Sequence, residues 1–206
     1  MKTILEKLER NVKGDRVCTL IIAVVTTLVA LAMLFYGISL MEKEPADFSI
    51  QAETHEIFGF EEMNLYIDGE ESHTIYTNYY LLENEDGNTD YRAMAMIDVC
   101  ESAVRYMIVA AIMVLVYFLF CGCKKMQTPF TRRSVWLLRW IGILIMAVVL
   151  LPELICMVMS TCMFSYAMAE FSSLHFCVAM LGGVFFMIAE VFKYGVVLQE
   201  DSDSIA

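Results

Sequence analysis

Between the first two apolar runs of this 206-residue chain there is no cysteine and almost no positive charge: residues 41–98 hold fifteen Asp or Glu against only Lys43 and Arg92. The missing cysteine excludes a small disulfide-stapled domain there. The missing base leaves a strong local negative field suited to cationic ligands or basic peptides. Catalytic signatures are absent as well: there is no Walker loop, no dinucleotide glycine pattern, no HExxH and no GxSxG. Only three histidines occur, and His55 and His73 in the acidic stretch offer two nitrogens where a metal site needs more ligands. Cys121 and Cys123 likewise lack the other two ligands of a structural zinc site. With no convergent nucleophile, base or metal group, the chain is expected not to be an enzyme and to need no cofactor or metal. Direct binding of nucleic acid is not expected; the net charge of −11 is itself a poor guide, since most of the acid lies in residues 41–98.

What the chain has in quantity is apolar sequence, 59% of its residues. Four long runs match the ~20 residues needed to cross a ~30 Å hydrocarbon core as helix. They predict spans at 17–40, 101–121, 135–161 and 174–197. Unbroken runs such as CTLIIAVVTTLVALAMLFYGISL lack the short alternating segments of a membrane barrel. The fold class expected is an all-α transmembrane four-helix bundle with a small extracytoplasmic β-rich insert, 41–98, between the first two helices. Lys2, Lys7, Arg10, Lys13 and Arg16 precede the first span, and Lys124, Lys125, Arg132 and Arg133 lie in the basic loop 122–134. Both patches fall on one side of the bilayer, so the positive-inside rule places both termini in the cytoplasm. The remaining segments are then an amphipathic cytoplasmic amino terminus (1–16), a short outer loop (162–173) and an acidic cytoplasmic tail (198–206). The first run is too long for a secretory signal and is read as an uncleaved anchor.

Within the insert, Pro45 argues against continuation of the first helix. Alternating patches in FSIQAETHEIFGF, MNLYIDG and HTIYTNYYLL, separated by DGEES and ENEDGNTD, predict three to five antiparallel strands, with hairpin turns at Asp68-Gly69 and Asp86-Gly87. Tyr66, Tyr76, Tyr79, Tyr80 and Tyr91 fit an aromatic belt where such a sheet meets headgroups, and alternatively a binding surface. Most cysteines are read as small apolar side chains at helix contacts, with a bridge from Cys162 to Cys100 or Cys177 as the alternative.

Polar residues inside the spans are the candidate functional set. Pro152 removes a backbone donor and should bend the third helix beside Glu153, a carboxylate costly in lipid unless paired; Arg105 is its geometrically sensible partner, and Arg105 can also pair with Glu101, four residues earlier on the same helical face. Glu190 has Lys193 one turn away, Arg139 on the third helix faces it, and Tyr194 adjoins them. Thr128 is the expected cap of the third helix with Pro129 at its first position. The tail QEDSDS is expected to leave the membrane and fray.

The segment AEVFKYGVVLQEDSDSI, carrying Gly195, Leu198, Gln199, Asp203 and Ile205, resembles the ending of bacterial membrane proteins in the family of unknown function DUF2975. TPFTRRSVWLLRWIG, carrying Pro129, Phe130, Leu138 and Gly142, is similar to that family's loop and third-helix start. The resemblance implies a four-span protein of the bacterial cell membrane, often encoded beside a small cytosolic helix-turn-helix regulator, and brings no established reaction. Taken together, the expected function is a non-enzymatic sensor or regulator coupling the acidic outer domain to a cytosolic partner. The alternative is an oligomeric transporter or channel component using Glu153 or Glu190. Expected partners are the lipid bilayer, the helix-turn-helix regulator, a cationic ligand or peptide outside, and further copies of the chain.

Overall fold

The structure, a computed structural model, describes residues 2–54, 61–75, 90–125, 131–165, 167, 169 and 172–205, with side chains over 12–51, 64–72, 90–122, 131–165, 167, 169, 172–202 and 204. Four helices dominate: α1 (Lys2–Met41), α2 (Tyr91–Lys125), α3 (Arg132–Phe164) and α4 (Ser173–Ile205). Between α1 and α2 lie strands β1 (Phe48–Thr54), β2 (Glu61–Ile67) and β3 (Glu70–Ile75). Each helix contains a stretch long and apolar enough to cross a membrane: Val12–Met41, Tyr91–Gly122, Arg132–Phe164 and Ser173–Ser202. Large apolar side chains stand exposed along them, among them Leu28, Phe35, Met187 and Val191, a surface that water does not tolerate and lipid does. The protein is a multi-pass membrane protein. α3 is the most enclosed helix, with 39% of its most apolar window buried against 11–17% for the others.

The chain divides into two compact units. One comprises Met1–Leu31, Ala103–Glu153 and Glu170–Ala206; the other comprises Ala32–Ser102 and Leu154–Ala169. The second unit holds the sheet, whose antiparallel order is β1-β2-β3. Alternation sets its inner face. Phe48 pairs with Ile67 and Ile50 with Leu65, and these side chains pack against Leu40, Ala95, Ile97 and Val99 from the adjoining turns of α1 and α2. A three-stranded sheet is marginal alone, and this apolar backing is what makes it viable. Asp68 (φ 56°) and Gly69 (φ 81°) form the expected two-residue hairpin turn, both with the positive φ of a type I′ turn. Because only two residues turn, Glu70, Glu71 and Ser72, expected in the connection, are already strand. Leu65 pairs with His73 while Tyr66 pairs with Glu71, so Ser72 is the extra residue of a β-bulge, and its hydroxyl lies 2.6 Å from that of Tyr36 on α1.

The only two cations of the insert are both used. Lys43 is ion-paired with Asp68, and that carboxylate raises the lysine above its ordinary pKa. Arg92 donates to the carbonyl of Lys43 at 3.0 Å. Pro45 opens a short 3₁₀ turn after α1 has ended, with the Glu44 amide donating to Asp47 at 3.0 Å.

Several sequence expectations are corrected here. Residues 91–98, assigned to the insert, are the first two turns of α2, because the Asp90 carboxylate accepts from the Ala93 amide at 3.0 Å and starts the helix there. Asp90→Ala is expected to cost about 1 kcal/mol, read as a lower thermal midpoint in detergent, with Asp90→Asn close to wild type. Thr131 caps α3, its Oγ1 accepting from the Ser134 amide at 3.0 Å, while Thr128, the expected cap, lies outside the described residues. The tail does not fray; α4 continues through it to Ile205. The six described cysteines, Cys18, Cys100, Cys121, Cys156, Cys162 and Cys177, are free thiols, so the bridge weighed for Cys162 is not formed. The Asp86-Gly87 turn, Tyr76, Tyr79, Tyr80 and His55 lie outside the described residues, and of His73 only the strand backbone is described.

Candidate functional site

Two polar clusters stand in the unit built from Met1–Leu31, Ala103–Glu153 and Glu170–Ala206. The first centres on Glu153, whose side chain is 3% exposed. A Glu153 carboxylate oxygen lies 3.9 Å from an Arg105 terminal nitrogen on α2 and 3.9 Å from the His175 Nε2 on α4. Pro152, fully buried, precedes it within α3, which is helical on both sides of the proline. The Arg105 neighbour is the one expected from sequence; the His175 neighbour is not. The signal was there in the four residues that open α4. Ser172 caps that helix, its Oγ accepting from the His175 amide at 3.4 Å, while its own amide donates to the His175 Nδ1 at 3.1 Å. An imidazole accepting at Nδ1 carries its proton on Nε2 when neutral, so the cap turns an N–H toward Glu153. A carboxylate between a guanidinium and a ring N–H can remain in a lipid-surrounded helix pack, where an isolated charge is expensive.

The second cluster lies along α3 and α4. Arg139 is ion-paired with Glu190, and Lys193 reaches the other Glu190 oxygen at 3.4 Å from one turn along α4. Arg132 grips Glu200 with two parallel bonds, Nε to Oε1 at 3.1 Å and a terminal nitrogen to Oε2 at 3.0 Å. This second pair is not legible in the sequence, where QEDSDS reads as an end that leaves the membrane and frays. The bidentate grip helps explain why it is helical. Tyr194, grouped with Glu190 by sequence, is 68% exposed and stands apart from these ion pairs.

Between the clusters, α3 and α4 touch through glycine. A Cβ placed on Gly182 would meet the Met146 Cγ at 2.6 Å and the Gly142 carbonyl oxygen at 2.8 Å; one on Gly142 would meet the Gly182 carbonyl oxygen at 3.0 Å. Backbones this close are the small-residue packing that lipid-embedded helices use in place of hydrophobic attraction. Of the other family-like positions, Leu138 is buried, Leu198 is exposed and Gly195 lies in mid-helix. Gln199 has a buried side-chain oxygen without a hydrogen-bond partner among the described residues. Asp203 and Ile205 are placed as α4 backbone, and Pro129 and Phe130 lie outside the described residues.

Among the described residues no group of three His, Cys, Asp or Glu side chains converges on a metal position. Both clusters are ion-pair assemblies, able to hold helices in register and to change state with charge. No curated protein and no solved structure matches the chain. A family model described as a protein of unknown function (DUF2975) matches residues 65–205, from β2 through α2 and α3 to the end of α4. With both polar clusters and most of its length inside that match, this four-span membrane protein belongs to the DUF2975 family.

Proposed function

We propose that the protein is a non-enzymatic membrane regulator, oriented with both termini in the cytoplasm, in which the acidic insert receives a cationic ligand or peptide and the end of α4 is read by a cytosolic protein. The observation carrying this reading is the helical acidic tail. With Glu200 clamped by Arg132, Asp201 and Ser202 stand exposed on a continuing helix. A preformed acidic prong presents a basic partner with fixed geometry and loses little entropy on docking. The partner suggested by the family resemblance is a small helix-turn-helix regulator. Crosslinking in native membranes is the test, comparing wild type with Asp201→Lys and with Glu190→Ala/Lys193→Ala at matched abundance. Recovery of a helix-turn-helix protein from wild type, reduced about tenfold by either variant, is the expected result, since each removes or reverses charge of the scale that steers association. Self-association alone, unchanged by both variants, would overturn the reading.

A second reading has its own observation. Glu153, 3% exposed beside Arg105 and His175, is the kind of intramembrane acid that lines ion or substrate paths. An oligomeric transporter or channel component would then move its cargo past Glu153, and the same crosslinking result of self-association alone would direct attention to it.

A further inference from the structure

A cavity of about 570 Å³ lies where the end of α2 meets the start of α3. Tyr117, Phe118, Gly122 and Leu137 supply much of its wall, and Arg132 and Arg133 supply its charge. No acidic side chain lines it among the described residues. The neighbouring cavity, about 300 Å³ on the other side of Arg132, differs in that Glu200 contributes to its wall beside Arg132 and Lys193. Arg132 already holds Glu200, so the cation that the larger cavity presents over its apolar floor, with no acid in the wall among the described residues, is Arg133.

Its depth in the bilayer can be read from the aromatics around it. Trp136 and Trp140, one and two turns into α3 from Arg132, are 56% and 42% exposed and lie 5.8 Å apart. Exposed tryptophans on a spanning helix settle at the headgroup level. The Arg133 guanidinium lies 6.0 Å from the centre of the Phe118 ring, and that of Arg16 lies 5.6 Å from the Tyr117 ring, so cations and aromatics interleave at this level. An occupant must be anionic at one end, apolar at the other, and present at headgroup depth.

We propose that this cavity binds an anionic phospholipid, with its phosphate at Arg133 and the upper part of its acyl chains against Phe118 and Leu137. The chain carries its own reporter, because Trp136 and Trp140 are its only tryptophans. The full chain is reconstituted into phosphatidylcholine bilayers containing either brominated phosphatidylglycerol or brominated phosphatidylcholine, and quenching of tryptophan fluorescence is measured. Stronger quenching by brominated phosphatidylglycerol is expected, equivalent to about a fivefold preference for the one arginine engaged. Two variants separate the cavity from general surface charge. Arg133→Gln removes one cation. Gly122→Leu keeps every charge and fills the cavity, since a Cβ at Gly122 meets nothing within 4 Å. Both are expected to lower the preference, and excess inorganic phosphate is expected to leave it unchanged. Equal quenching by the two lipids, or a preference that survives Gly122→Leu, overturns the proposal; displacement by inorganic phosphate overturns it in favour of a free-anion site.

Discussion

Gly182→Ala is expected to destabilise the protein by about 2 kcal/mol, while Gly183→Ala, one residue along the same helix, is expected to be neutral or stabilising by up to about 1 kcal/mol. The difference comes from what each new methyl meets. At Gly182 it would press on the Gly142 carbonyl oxygen, 2.8 Å away, and backbone cannot swing aside as the Met146 side chain can. At Gly183 it meets nothing within 4 Å. Both substitutions equally remove a helix-disfavouring glycine, so any gap between them reports the α3 and α4 contact alone. Thermal unfolding in detergent, followed by helical circular dichroism, measures it. Equal midpoints for the two variants would mean that the helices have room to separate and that the close crossing contributes nothing to stability.

Arg105→Met is expected to lower stability by about 2 kcal/mol. Loss of one partner from a fully buried ion pair costs about 3–5 kcal/mol, and the figure is reduced here because Arg105 is 42% exposed and stands 3.9 Å from the carboxylate. The informative comparison is Arg105→Met/Glu153→Met. Removing both charges takes away the stranded acid, and the double variant should recover about 1 kcal/mol or more relative to the sum of the single variants. His175→Gln is expected to fall between, because an amide can still donate toward Glu153 while losing the ring that completes the cap of α4. Additive effects of Arg105 and Glu153 would show that their proximity carries no coupling.

The helices were legible because hydrophobic run length is dictated by bilayer thickness, a constraint acting on every residue of a span. The Asp68-Gly69 turn was legible for a similar reason: few residue pairs accept two successive positive φ angles, and this is one of them. Where the reading slipped, two local signals competed and a distant contact decided. Thr128 and Thr131 are both good caps by residue type, and it is Thr131 whose hydroxyl meets the amide and hydroxyl of Ser134. QEDSDS reads as a solvated end until Arg132, sixty-odd positions earlier in the chain, is found holding Glu200. His175 is not legible from spacing because its partners are a serine at its own helix start and an acid on the preceding helix. Arg105 with Glu153, and Arg139 with Glu190, could be anticipated because charge within a span demands a partner of opposite sign at similar depth.

Arg105 comes before Glu153 in the chain and His175 after it. A ribosome delivering this protein to the bilayer therefore releases the guanidinium first, the acid second and the imidazole last. Glu153 emerges into a membrane that already holds its counter-ion, and the final helix closes over it through the serine and histidine that cap its beginning. The linear order of three residues thus doubles as an order of arrival, guanidinium before acid before imidazole.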